Sequence, residues 1–278
     1  MATRLPLAVI GAGRAGQARV RALAESATAC LAALVSRRDP GGPSFGDVLA
    51  DPAVAGVIVC TPNLLHAAQA RAALDAGKHV LVEFPLAASP AEARALLQRA
   101  HEARLILHEE HIELLSPSQA WLRERARTLG RPRGGVLHFT GSAKGWIADP
   151  LLSGSPALCA QARLHRLVDL FGDAEVRGAT LVRDSGHRLE VELGFAAGGE
   201  VVLVEERAPG GSRETRWQVE CEHGPLGDPP AERPAGLFAR DLDSFVARVA
   251  DRTVPPYVSE ARCLHVFGLI EAIERRLC

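Results

Sequence analysis

The stretch LPLAVIGAGRAG, residues 5–16, constrains this chain more than any other. Its first half is a short apolar run that predicts a buried strand. Gly11-x-Gly13-x-x-Gly16 ends the run, and an alanine-rich segment over 16–25 predicts a helix. Strand, glycine turn and helix in that order give the motif its meaning. The first glycine permits the tight turn, the second lets the backbone approach a pyrophosphate, and the third lets the helix sit close on the sheet. The helix N-terminus then offers unpaired N–H groups and a positive dipole end to phosphates. Arg14 and Ala15 lie inside the turn and join Gly11, Gly13 and Gly16 as candidate cofactor contacts. The hexapeptide alone also occurs as an ordinary turn in α/β proteins, so its neighbours carry the reading.

Those neighbours repeat the pattern. Apolar runs at 29–35, 54–60, 79–83 and 105–108 read as strands, separated by a Pro/Gly-rich loop at 39–46 and by helices ending near 76 and 103. Thr61-Pro62-Asn63 punctuates the third run, with Asn63 placed to cap the next helix. Ser89-Pro90-Ala91-Glu92 starts another helix in capping-box style. Strands alternating with helices predict a parallel, doubly wound sheet, here a Rossmann domain over residues 1–115. The texture then changes. A helix at 118–128, a strand at 135–141 and a helix at 156–170 lead into closely spaced strands at 175–182, 188–195, 200–206 and 213–219. Hairpin spacing predicts an antiparallel sheet. Helices at 237–250 and 259–277 close a second, α+β domain with a large open, mainly antiparallel sheet, assigned to residues 116–278.

The residue after the second strand discriminates between dinucleotides. An acid there holds a ribose 2′-OH, while a small residue with nearby arginine accepts a 2′-phosphate. Ser36 stands there, followed by Arg37 and Arg38. Guanidinium forks suit phosphate oxygens, so NADPH is expected, with NADH as the alternative. Two arginines in a solvated loop remain the plainer account. Thr61, Pro62, Asn63 and His66 follow the third run at the edge that faces a cofactor, although His66 fits a surface helix equally well.

With net charge -1 and pI about 6.8, nothing global recruits nucleic acid or an acidic membrane. No apolar run reaches the ~18 residues of a membrane span. The N-terminus shows no signal-type pattern, which predicts a cytoplasmic protein. Six cysteines lie scattered without a C-x-x-C pair, which argues against a disulfide framework or a zinc knuckle.

Thr61-Pro-Asn-x-x-His66, Ala76-Gly-Lys-His-Val-Leu-Val-Glu83 and Pro85 resemble the glucose–fructose oxidoreductase and inositol dehydrogenase-like superfamily. Its usual Glu-Lys-Pro reads Glu83-Phe84-Pro85 here, and its helical Asp and His align with Leu158 and Ala162. The groups that would take a proton from a sugar hydroxyl are absent. Within the superfamily the chain is similar to the animal-type biliverdin reductases. The shared segments run from the glycine turn and Val35-Ser-Arg-Arg38 through Leu107-His-Glu-Glu-His-Ile-Glu-Leu-Leu115 and Leu137-His-Phe-Thr140. They continue through Arg163-Leu164, Leu170-Phe-Gly172 and Leu264-His265.

That resemblance implies reduction of biliverdin to bilirubin by hydride transfer to the C10 methine bridge. The pigment is then expected between nicotinamide and one face of the open sheet. It places a functional arginine at Arg163, with Glu83 and Phe84 beside the reacting groups. Phe84 replaces the family's usual Tyr, keeping the aromatic face without the hydroxyl. Glu110, His111, Arg163 and Arg166 become substrate-binding candidates with Phe84, and Lys144 is a further cation for the propionates. The Glu109-Glu110-His111 cluster serves equally as a structural network, and Arg163 equally as a surface ion pair. Family members often end in paired cysteines that have been discussed as metal ligands; only Cys278 remains here, so no metal is expected. The chain is expected to be a monomer, or a homodimer through the open sheet. Two rival readings are another NAD(P)-dependent oxidoreductase acting on a small non-tetrapyrrole substrate, and a non-catalytic cofactor- or pigment-sensing protein.

Overall fold

In a computed structural model of the protein, residues 4–231 and 235–278 are described. The first part of the chain runs β1 (Leu5–Ile10), α1 (Arg14–Glu25), β2 (Ala29–Val35), α2 (Phe45–Ala50) and β3 (Gly56–Val59). It continues with α3 (His66–Asp75), β4 (His79–Val82), α4 (Pro90–Ala103) and β5 (Leu107–Glu109). Then follow α5 (Pro117–Leu129), β6 (Pro132–Ser142), α6 (Pro150–Ser153), α7 (Pro156–Cys159) and α8 (Gln161–Phe171). The antiparallel strands β7 (Ala174–Arg183), β8 (His187–Phe195), β9 (Glu200–Ala208) and β10 (Glu214–Cys221) lead to a short β11 (Gly224–Leu226). Two helices, α9 (Leu237–Ala250) and α10 (Glu260–Leu277), end the chain.

Local chemistry sets most of these boundaries. Ser44 and Asp47 exchange side-chain and backbone hydrogen bonds in a capping box that starts α2, a helix too short to register in the 39–46 loop expectation. Ser89 accepts from the Glu92 amide, and Pro90 takes the first position of α4. Two expectations are corrected. Asn63 does not cap the third helix: it opens a single 3-10 turn, and the helix proper begins at His66. The helix expected over 156–170 is two helices, interrupted at Ala160.

Contacts divide the chain into two compact units. The first comprises Met1–Ile112 with Ala235–Glu260. Its five strands are parallel in the order β2-β1-β3-β4-β5. Every residue of β3 is buried, as befits a central parallel strand covered on both faces. A linear cut near residue 115 assigns α9 to the second domain, but α9 belongs to this unit. Leu242, Phe245 and Val246 enter the core formed by Leu7, Val9, Leu23, Ile58 and Leu81. The apolar stripe of α9 is thus the reason for the discontinuity.

The second unit comprises Glu113–Pro234 with Ala261–Cys278. Its six strands are ordered β11-β10-β6-β9-β8-β7. All neighbours are antiparallel except β6 and β9, which pair in parallel. Strand alternation sorts the faces. Leu137, Phe139, Leu203, Leu189, Val191 and Trp217 are buried on one. The other carries a charged ladder in which Arg188 bridges Glu190 and Glu206, with His138 against Glu206. No helix among the described residues is long and apolar enough to cross a membrane.

Phe245→Ala tests the discontinuous first unit. Phe245 is fully buried, so losing its ring should cost about 3–5 kcal/mol, read by urea denaturation. A cost under about 1 kcal/mol would show that α9 is not part of that core.

Candidate active site

In the first unit the carboxyl edge of the parallel sheet gathers the candidate cofactor residues. Gly11 has φ +106°, and a side chain there would meet the Cys60 carbonyl at 2.6 Å. A Cβ on Gly16 would fall 1.8 Å from the Gly11 oxygen. The turn after β1 therefore closes on the turn after β3 and on its own helix, and both contacts demand glycine. Gly13 differs: a Cβ there has nothing within 4 Å. It caps α1 with no side-chain hydrogen bond, and the first turn carries no acid. That is an open anion cradle at a helix N-terminus, and it fits a pyrophosphate. Arg14 is exposed beside it, and Ala15 is half-buried.

At the end of β2, Ser36 Oγ accepts from the Arg38 amide at 3.1 Å, which shapes the turn. Arg37 and Arg38 are exposed and make no ion pair among the described residues. The turn after β3 is tied down by its side chains: Thr61 Oγ1 donates to Gln69 Oε1 at 2.5 Å. His66 is buried rather than on a helix surface. Its Nδ1 lies 2.8 Å from the Pro85 oxygen and its Nε2 2.7 Å from the Thr61 oxygen. Burial pushes the His66 pKa down, while both carbonyls pull it up. Since carbonyls only accept, the neutral ring donates to one of them at a time. His66 thereby joins the 61–63 turn to the Glu83-Phe84-Pro85 turn, where Phe84 is half-buried and the Phe84–Pro85 peptide is cis.

Glu83 stands at the end of β4, bound by a residue that no motif announced. Arg19 of α1 is wholly buried, and its Nε donates to Glu83 Oε1 at 2.7 Å. Its Nη2 lies 2.7 Å from Asp241 Oδ2 of α9, and its Nη1 donates to the Phe238 carbonyl. Burial alone would lower the Arg19 pKa; Glu83 and then Asp241 raise it. Asp241 Oδ1 also accepts from His108 Nε2 at 2.8 Å and from the Tyr257 hydroxyl at 2.5 Å. Burial works against its charge, but Arg19 and His108 hold its pKa well below the carboxylate range. Tyr257 in turn accepts from the His111 amide. Glu110 is buried, accepts from the Ile112 amide at 2.5 Å, and has its pKa pushed up by burial, then by Glu83 and Asp241. His111 Nε2 lies 3.4 Å from Glu109 Oε2, and Glu109 Oε1 accepts from the Leu86 amide.

In the second unit Arg163 is not a surface arginine: it is 2% exposed. Its fork grips Glu205 of β9 twice, Nε to Oε2 at 2.9 Å and Nη2 to Oε1 at 3.0 Å, and Nη2 also donates to the Cys159 carbonyl. The guanidinium lies 4.2 Å from the centre of the Phe139 ring. Burial would lower its pKa, but Glu205 and Glu113 raise it. Arg166 is buried too, donating to Gln119 Oε1 at 2.8 Å with its guanidinium 5.0 Å from the Trp217 ring centre. Lys144 is exposed. Leu158 and Ala162 are buried, so this helix pair offers no proton-taking group at those positions.

Comparison with known proteins accounts for this arrangement. Residues 5–111 match the oxidoreductase family with the NAD-binding Rossmann fold, and residues 126–232 match the biliverdin reductase catalytic domain. Biliverdin reductase A of Homo sapiens is 32% identical over 97% of this chain and 95% of its own length. The chain belongs to the biliverdin reductase family. The Mus musculus biliverdin reductase A is similar to the same degree, 32% over 97% and 95%. The crystal structure of biliverdin reductase from Synechocystis sp. PCC 6803, in complex with biliverdin and NADP+, superposes with a TM-score of 0.85 at 22% identity, over 99% of each chain. At that identity the superposition speaks for the fold. This family member is an NAD(P)-dependent oxidoreductase, and its open glycine cradle is where such a cofactor's phosphates fit.

Glu110 supplies a pH test. In the unfolded chain its carboxyl loses a proton near ~4.3; in the fold it keeps that proton to higher pH. Between those values the folded state binds more protons, so stability falls as pH rises. Glu110→Gln removes that slope while an amide oxygen can still accept from Ile112. Urea titrations should show the variant gaining on the parent between pH 5 and pH 8. An equal difference at both pH values would rule out a protonated buried carboxyl.

Proposed function

We propose that this protein reduces biliverdin to bilirubin at the C10 methine bridge, with NADPH as its preferred reductant. The observation that carries the reading is family membership across nearly the whole chain, joined to Phe84, Leu158 and Ala162 where the wider superfamily keeps its Lys, Asp and His. A chain stripped of those groups is poorly equipped to oxidise an alcohol, and reduction of a conjugated acceptor does not call on them. Bound NADPH supplies the hydride, and the balance is completed by one proton to a pyrrole nitrogen.

The chain's own residues then divide the work. Gly11, Gly13, Arg14, Ala15 and Gly16 hold the pyrophosphate at the α1 N-terminus. Ser36, Arg37 and Arg38 take the 2′-phosphate; the position after β2 is Ser36 rather than an acid, and the first acid, Asp39, comes three residues later. Thr61, Pro62, Asn63, His66 and Glu83 form the edge against which the nicotinamide end is held. Phe84 offers an aromatic surface to a flat substrate. Arg19 fixes the Glu83 carboxylate in place.

Arg163 acts as a fixed positive charge. Its raised pKa and its bidentate hold on Glu205 keep it protonated, so it stabilises negative charge rather than donating a proton. Arg166, Glu110 and His111 serve the same sites structurally, through Gln119, the Ile112 amide and the Tyr257 hydroxyl.

Mixing the protein with NADPH and biliverdin should convert the pigment's absorption band to that of bilirubin. Tight pigment binding without turnover would favour a sensor, and neither binding nor turnover would point to another substrate. Ser36→Asp should lower kcat/KM for NADPH by about tenfold or more while sparing NADH. An unchanged NADPH/NADH ratio would remove Ser36-Arg37-Arg38 from cofactor choice.

A further inference from the structure

Sequence pattern nominates Arg163, Arg166 and Lys144 for the substrate's carboxylates, but the structure commits the first two elsewhere. Arg163 is held by Glu205 and the Cys159 carbonyl, and Arg166 by Gln119 and the Trp217 ring. Two other arginines of the second unit share the Phe139 ring with Arg163. Arg207 of β9 has its guanidinium 5.2 Å from the ring centre, and Arg213, just before β10, has its own at 5.7 Å. Arg207 gives its Nε to Glu205 at 2.8 Å. Both of its terminal nitrogens are without a protein partner among the described residues, although its side chain is only 12% exposed. Arg213 pairs through Nη2 with Glu113 and is 68% exposed, so its other N–H groups reach solvent.

The charge balance is uneven. Four guanidiniums, of Arg163, Arg166, Arg207 and Arg213, act on Glu113, and Glu205 is the second carboxylate among them. Asp169, the next acid, is already taken by Arg123 and Arg262. The cluster therefore carries an excess of two positive charges. Burial would raise the Glu113 pKa, yet Arg213 and then Arg163, Arg166 and Arg207 bring it down, the signature of a cation-rich site. Excess guanidinium with free forks is arranged for carboxylate partners.

We infer that Arg207 and Arg213 are the carboxylate-binding residues of the substrate site, receiving the two propionate groups of a linear tetrapyrrole beside the Phe139 ring. The assignment rests on the proposed reaction. It differs from the sequence expectation in moving substrate recognition from α8 to the β9–β10 turn, and in leaving Arg163 and its Glu205 partner as the fixed base on which Arg207 is set.

A substrate and enzyme cycle tests it, comparing biliverdin with biliverdin dimethyl ester, in which both carboxylates are blocked. Arg213→Ala and Arg207→Gln should each raise KM for biliverdin by about tenfold, leave KM for the ester unchanged, and leave KM for NADPH unchanged. A rise in the NADPH constant instead would identify the ligand as a cofactor phosphate and overturn the assignment. Equal losses for acid and ester, or no loss for either, would also overturn it. Folding is checked by the thermal transition of each variant; Arg213→Ala removes an exposed side chain and its pair with Glu113, which keeps Arg163, Arg166 and Arg207 nearby. If the unaltered protein neither binds nor reduces either pigment, the proposed reaction itself fails. If it reduces both while the variants behave as the parent, the reaction stands and Arg207 and Arg213 are excluded.

Discussion

The first unit depends on one buried guanidinium. Arg19 has no exposed side-chain surface, and it reaches the end of β4 through Glu83 and α9 through Asp241. Burying an unpaired cation costs several kcal/mol, so α1, the β4 edge and α9 must all be in place before Arg19 is satisfied. Removing either carboxylate leaves the other to hold the charge alone. This explains why α9, which starts 128 residues after the last parallel strand ends, packs with that sheet: Phe245 and Leu242 supply the apolar contact, and Asp241 supplies the charge. The interaction also anchors Glu83, at the edge where the glycine turn opens.

The second unit repeats the device with different parts. Arg163 of α8 and Glu205 of β9 form a buried two-pronged pair laid against Phe139. In both units a helix arginine is locked by a carboxylate from another element while an aromatic ring covers it, Phe238 in the first and Phe139 in the second. Such pairs add little net stability over apolar packing, but a broken one is costly. Their consequence here is geometric: each fixes a charged group in one orientation.

The Rossmann half was legible because its signals are local. Gly11, Gly13 and Gly16 need only their own strand and helix, and Ser89-Pro90 starts α4 from four residues. Ser36-Arg37-Arg38 could be placed because β2 has a clear end. The second sheet could be read from strand spacing, though not the parallel β6–β9 pairing, whose first paired positions, Val136 and Val202, lie 66 residues apart. What escaped was long-range. Arg19 looks like any polar residue of an amphipathic helix, and nothing in its neighbourhood points to Asp241. Glu205 sits in the alternation of β9 where an apolar residue would be expected; a buried-face acid is a signal, but it became readable only once Phe139 and Leu137 fixed which face is covered. His66 was ambiguous because helix periodicity cannot say whether a first-turn residue faces a neighbouring turn.

The charge inventory narrows the chemistry. Along the parallel sheet's edge one guanidinium, Arg19, already serves Glu83 and Asp241, and Glu110 is a third buried carboxyl within their field. A single cation cannot stabilise three anions equally in a low-dielectric site: Asp241, with His108 and Tyr257 as further partners, has its pKa held down, while burial, Glu83 and Asp241 push that of Glu110 up. In the second unit the imbalance has the opposite sign, with arginine in excess. Both buried arginines are pinned in the protonated state. The two arginines therefore hold charge rather than exchange it, which is what electrostatic stabilisation requires of a group. That suits hydride addition to a conjugated acceptor, where negative charge arrives on the substrate, and suits poorly the abstraction of a hydroxyl proton. At Phe84, Leu158 and Ala162 the chain carries no proton-transfer group, and both of its locked arginines are held by carboxylates.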